Sequence, residues 1–148
     1  MSKAATLESF PAMLRRVLGD RLNGEATTFP EMFALDGVLE YPFAPPGLAT
    51  SLVGRDAIIA NFQKIRKLLR IDSVSDVIVY ETTDPQVVMI GFSGRGEGLL
   101  TRNPYDQRYI SVVELQNGQI VRYKDYWNPL ALLRTLKGAA TIEALAMG

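Results

Sequence analysis

A carboxylate stands between two aromatic rings in the stretch Gln119-Ile120-Val121-Arg122-Tyr123-Lys124-Asp125-Tyr126-Trp127-Asn128-Pro129. Asn117-Gly118 just before it is a strong two-residue hairpin signal and Asn128-Pro129 ends it, so the stretch reads as a strand. Strand side chains alternate, which puts Val121, Tyr123, Asp125 and Trp127 on one face and Ile120, Arg122, Lys124 and Tyr126 on the other. A carboxylate on a mostly apolar face costs free energy unless it is paired or used. Asp125 is therefore the first candidate for acid–base chemistry.

Counting back through the turn pairs Gln116 with Gln119, Val112 with Tyr123 and Ile110 with Asp125. Arg108 then falls opposite Trp127 and diagonal to Asp125, on the same face. One reading is a structural Arg108–Asp125 ion pair under an aromatic lid, which would lower the acid's pKa. The other is a pocket with Asp125 at its bottom. Spacing alone leaves both open.

The chain has no histidine and no cysteine. Disulfides, Cys/His zinc sites, thiol nucleophiles, serine triads and imidazole dyads are excluded. Proton transfer near neutral pH would fall to a carboxylate of raised pKa, with Tyr, Lys or Arg in support. Nothing points to a metal or cofactor, and Gly94-Arg95-Gly96 is no phosphate loop because no helix begins there. Sixteen basic and sixteen acidic residues cancel, and no basic stripe suggests nucleic acid. The cluster from Lys64 to Arg70 fits the wet side of an amphipathic helix. Neither a signal peptide nor a membrane-length apolar run is evident, so no membrane partner is expected and the cytoplasm is the default location.

With 148 residues, 47% of them apolar, the chain reads as one domain over 1–148, with a core of about 5–137 and a small-residue tail from Gly138 to Gly148. Helical spacing at Leu7, Phe10, Leu14, Val17 and Leu18 gives a first helix whose regular part begins near Ser9, with Pro11 in its first turn. A short second helix is expected over Glu25–Ala34 and a strand over Val38–Phe43, closed by Ala44-Pro45-Pro46-Gly47. Arg55–Leu69 carries a wide apolar stripe and is the clearest helix. Four strands follow, at about Ile71–Thr82, Gln86–Gly94, Tyr105–Leu115 and Gln119–Trp127, then a helix over Leu130–Lys137. Helices first and an antiparallel meander afterwards indicate an α+β domain, a curved sheet wrapped around helices. Gly91, Gly94, Gly96 and Gly98 fit curvature or bulges in the central strand.

The stretches Phe33 to Gly47, Gly54-Arg55-Asp56-Ala57-Ile58, Asn117-Gly118-Gln119-Ile120 and Tyr123 to Pro129 resemble the SnoaL-like group of the nuclear-transport-factor-2-like superfamily, over roughly residues 5 to 137. The resemblance implies a cone: a curved antiparallel sheet around about three helices, open at one end and often dimerising through the outer sheet face. Lys124-Asp125-Tyr126 is similar to the Arg-Asp-Tyr of limonene-epoxide hydrolases, where the Asp activates water, and so implies an inward-facing acid or base at Asp125. That group's Arg-x-Asp pair falls on Phe92 and Gly94, and its water-holding Tyr and Asn on Leu39 and Tyr41. The general-base Asp of ketosteroid isomerases coincides with Tyr41, and the first helix carries no Tyr for their oxyanion hole. Scytalone dehydratase and several polyketide cyclases use histidine.

These observations lead to an expected enzyme of cofactor-free acid–base chemistry on a small apolar molecule, by isomerisation, cyclisation or water addition. Asp125 would be the acid or base, Arg108 would stabilise negative charge, and Tyr41 and Tyr123 would orient an oxygen. Trp127, Phe43, Phe62, Phe92 and Leu39 are candidate pocket walls, the Phe residues each reading more readily as plain core and Trp127 equally as either. Alternatives are a non-catalytic cone that holds a hydrophobic ligand and a dimeric interaction protein with a filled core. An outer apolar patch of Tyr109, Val113, Ile120 and Tyr126 would serve a homodimer in either case.

Overall fold

A computed structural model describes residues 7–138. Helix α1 spans Phe10–Leu18, with Pro11 in its first turn and the Ser9 side chain accepting from the backbone N–H of Ala12 as N-cap. Strands β1 (Phe33–Glu40) and β2 (Ser51–Val53) precede helix α2 (Arg55–Ile65). Then come β3 (Leu69–Glu81), β4 (Val87–Gly98), β5 (Pro104–Gln116), β6 (Gln119–Trp127) and helix α3 (Pro129–Lys137). The six strands form one mixed, unclosed sheet in the order β2-β1-β6-β5-β4-β3, curved around the helices. This is the expected α+β cone. The meander β3 to β6 is antiparallel, while β1 joins β6 in parallel. Among the described residues no helix is long and apolar enough to cross a membrane.

Three elements differ from expectation. No helix forms over Glu25–Ala34; a single 3-10 turn covers Pro30–Met32 and β1 starts at Phe33, because its residues pair with β6. Helix α2 stops at Ile65, and Leu69 already belongs to β3. The short strand β2, which follows the Pro-rich loop and pairs with the end of β1, was not anticipated. Of the expected tail only Gly138 lies within the described residues.

The core is an aromatic cluster around Phe29. Its ring centroid lies 4.9 Å from Phe10, 5.0 Å from Phe33, 5.0 Å from Tyr123 and 5.4 Å from Phe62. Such edge-to-face pairs add to the gain from burying the rings. Met13, Leu14, Leu18, Ile58, Val88, Ile90 and Ile120 fill the space around it.

The glycines of β4 serve close approach. The β4–β5 register is continuous, and the bulges lie in β3, between Ile71 and Ser73 and between Ser75 and Ile78. A Cβ on Gly94 would sit 2.9 Å from the Tyr109 ring, and one on Gly96 would sit 1.7 Å from the Arg70 carbonyl oxygen. The Gly96→Ala variant is accordingly expected to lose at least about 2 kcal/mol in urea unfolding, since backbone must move. Gly24→Ala, with nothing within 4 Å of the added carbon, should stay within about 0.5 kcal/mol of the parent. Equal losses at the two positions would contradict the close-approach account.

Candidate functional site

One inserted residue decides what surrounds Asp125. Gln116 pairs with Gln119 and Leu115 with Ile120, but Glu114 then pairs with Arg122, so Val121 is an extra residue on β6. Ile120 and Tyr123 both point into the core across this bulge, at 0% and 1% exposure. From there on the register differs by one residue from the uninterrupted hairpin: Val113 faces Tyr123, Ser111 faces Asp125 and Tyr109 faces Trp127. A one-residue slip changes which face of β5 looks inward. The inner row of β5 is therefore Tyr105, Gln107, Tyr109, Ser111, Val113 and Leu115, all buried.

Arg108 is the principal correction. It sits on the outer face of β5, exposed and paired in register with Ser93 of β4, and cannot be the partner of Asp125. The postulated ion pair does not form. Phe43 is also misplaced as a pocket wall: it is 58% exposed and packs on Tyr126 of the outer face at a centroid distance of 5.2 Å. The proposed outer patch changes for the same reason of register. Tyr109, Val113 and Ile120 are buried inside, and only Tyr126 stays outside.

The remaining site residues come together in the interior. Tyr41, one residue beyond the Glu40–Lys124 pair of β1 and β6, is buried; its hydroxyl accepts from Asn61 Nδ2 of α2 at 3.4 Å. Trp127, partly buried, lies against Tyr41 with ring centroids 5.9 Å apart. Tyr123 donates its hydroxyl proton to Ser111 Oγ at 2.6 Å. Tyr105 and Tyr109 share a hydrogen bond of 2.9 Å, and Phe92 stacks on Tyr109 at 4.8 Å. Phe62 and Leu39 are packed into the core and are walls only in that sense.

Asp125 Oδ1 is the one buried side-chain polar atom without a hydrogen-bond partner among the described residues. Loss of water around the carboxylate pushes its pKa up from 3.8 to about 7, with the Ser111 hydroxyl pulling the other way. The phenols respond to burial first and to the Asp125 charge as well. Tyr105 is pushed up to about 12, and Tyr41, Tyr109 and Tyr123 are raised well beyond the usual range. All four keep their protons at neutral pH, so each hydroxyl has one proton to donate as well as an oxygen that accepts. An acid poised near pH 7, ringed by protonated phenols, can take and return one proton under mild conditions.

Ser111, Tyr105, Tyr109 and Asn61 are site residues that sequence reasoning missed. A signal for β5 was present: the row Asp106, Arg108, Glu114 and Gln116 holds the strand's three charges, whereas the row Tyr105 to Leu115 holds none. The charged row belongs outside. Gln107 completes the local frame, since its amide accepts from the Asn128 N–H and donates to the Asn128 carbonyl, each at 2.9 Å. Asn128 in turn caps α3 through the N–H of Leu130.

The raised acid has a consequence for stability. Between about pH 4 and 7 the folded state holds a proton that the unfolded chain has released, so this group lowers stability as pH rises through that window. The full shift corresponds to roughly 4 kcal/mol at most. Asp125→Asn, which does not titrate, should therefore gain on the parent from pH 4 to pH 8 in urea unfolding, by a few kcal/mol at the upper end. A stability difference independent of pH would contradict the raised pKa.

Residues 14–123 match the sequence profile of the SnoaL-like domain. The chain is 37% identical over 126 residues to a PhzA/B-like protein of Pseudomonas aeruginosa, covering 85% of this chain and 89% of that one. It is 33% identical over 126 residues to the protein YesE of Bacillus subtilis, covering 85% and 86%. Among solved structures, a candidate isomerase from Bacillus subtilis superimposes with a TM-score of 0.74 at 33% identity, covering 86% of this chain and 92% of the other. Profile, relatives and superposition agree with the cone built above, and the chain belongs to the SnoaL-like domain family.

Proposed function

We propose that the protein is a small-molecule enzyme of the SnoaL-like type that uses cofactor-free acid–base chemistry, with Asp125 as the acid and base. The observation that carries this reading is the buried, unpartnered Oδ1 of Asp125 on an acid poised near pH 7. A buried carboxylate oxygen left without a partner destabilises the fold, and such groups cluster where chemistry needs them. The likeness to a candidate isomerase from Bacillus subtilis supports the same class.

The favoured reaction is proton transfer beside a carbonyl, as in isomerisation or ring closure. The Asp125 carboxylate takes a proton from the carbon, the electron pair moves into the carbonyl, and the oxygen gains negative charge. Tyr41 is the group to meet that oxygen, since its hydroxyl accepts from Asn61 and its own proton is free to donate. Asp125 then returns the proton to the new carbon or oxygen. Tyr123, engaged with Ser111, holds the strand and the serine in place instead of touching substrate. Trp127 forms the apolar wall, and Arg108 has no part. The reading places the enzyme in the cytoplasm, acting on a small apolar molecule.

Hydrogen–deuterium exchange at the α-carbon of small cyclic ketones in D2O, followed by proton NMR, tests this directly. The parent should catalyse exchange that rises with pH through about 7, as the carboxylate form appears. Asp125→Asn should slow it by about a hundredfold or more, and Tyr41→Phe by about tenfold. Exchange by Asp125→Asn at the parent rate would remove the carboxylate from the mechanism and leave a cone that only binds.

We also propose that two copies pair through the outer sheet face. Phe43, Ile78, Tyr80 and Ile110 are 58%, 54%, 47% and 41% exposed there, around a shallow groove of about 440 Å³. So large an apolar patch favours a partner surface. Sedimentation should show a dimer for the parent and a monomer for Ile110→Asp; a monomeric parent would rule the pairing out.

A further inference from the structure

We infer that the Asp125 site takes a positively charged organic ligand, an alkylammonium or protonated amine, seated between the carboxylate and the surrounding aromatic rings. The inference deepens the function proposed above and rests on Asp125 being the working group of a ligand site.

Three observations lead to it. First, Asp125 Oδ1 is buried with nothing to accept from, so a ligand that reaches it gains most by bringing a donor or a positive charge. Second, the strand register puts ring systems from three strands on the inner face around Asp125: Tyr41 beyond β1, Tyr105 and Tyr109 on β5, and Tyr123 on β6. Trp127 leans on Tyr41 from the same side. The faces of such rings carry negative potential and favour a cation that has left water.

Third, among the described residues the interior holds no positive charge that could balance an anion. The buried polar residues among those described are Ser75, Gln107, Ser111 and Thr135, and no Lys or Arg is buried. The basic side chains on neighbouring strand and helix are engaged elsewhere: Arg122 with Glu40, and Arg55 with the Phe33 carbonyl. A carboxylate-bearing ligand would place like charges together in a site of low polarity. A neutral ligand without a donor would use the rings and leave Oδ1 bare. A cation satisfies both.

Binding of a cation also favours the ionised form of Asp125. The titratable groups facing it are the four tyrosines, each pushed up from its ordinary value by burial, and none of them changes charge between pH 6 and 8. The pH dependence of cation affinity over that range therefore reports on Asp125 alone.

Trp127 is the chain's only tryptophan and reports on the site without a label. Its fluorescence is to be titrated with benzyltrimethylammonium and with neopentylbenzene, a neutral molecule of the same shape. The cation should bind at least about tenfold more tightly than the neutral probe at pH 8. Its affinity should fall about tenfold from pH 8 to pH 6, as Asp125 takes up its proton, while the neutral probe shows no such loss. Asp125→Asn should abolish the preference for the cation, and the pH series on the parent carries the test even if that variant folds poorly. Equal affinity of the two probes at pH 8, or a cation affinity indifferent to pH, would overturn the inference while leaving acid–base chemistry on a neutral substrate intact. No change in Trp127 fluorescence with either probe would overturn the ligand site as well.

Discussion

The uncompensated carboxylate of Asp125 is the constraint to which the rest of the interior answers. Desolvation of a charge in an apolar cone is expensive, and the protein limits that cost by holding the group protonated up to about neutral pH instead of supplying a counter-ion. Everything placed near it is neutral: Ser111 across the hairpin, four phenols, an indole and the amide of Asn61. A single buried arginine would have made the site a structural ion pair with a depressed pKa. Its absence from the buried polar residues keeps the acid available.

Geometry and electrostatics meet at the bulge at Val121. Without that extra residue, β5 would turn its charged row inward and bring Arg108 to Asp125. With it, the tyrosine-rich row lines the interior and Ser111 lies opposite the acid. The space for this arrangement comes from β4, where Gly94 leaves room for the Tyr109 ring. The Gln107–Asn128 amide pair then fixes the end of β6 just as α3 begins, so Trp127 is held against Tyr41. A local irregularity in one hairpin thus selects which chemistry the site can support.

Much of this was legible in the residues. Asn117-Gly118 adopts the two positive φ angles, 53° and 78°, that a tight hairpin turn needs, and β6 spans Gln119–Trp127 as its alternation indicates. The inward placement of Asp125 also follows from its Tyr and Trp neighbours. The bulge does not, because alternation in β6 reads equally well with Val121 or Ile120 inside, and only the burial of Ile120 in the core decides between them. The parallel β1–β6 contact joins segments more than eighty residues apart and leaves no local mark. The start of β1 at Phe33 follows from that contact, whereas the local pattern of the residues before it reads as helix.

The most direct test of the central claim is a carbon-13 NMR titration of the side-chain carboxyl of Asp125, with protein labelled at aspartate and the signal assigned by its loss in Asp125→Asn. The account predicts a midpoint near pH 7. A midpoint near 4, the value of an ordinary solvated aspartate, would contradict it.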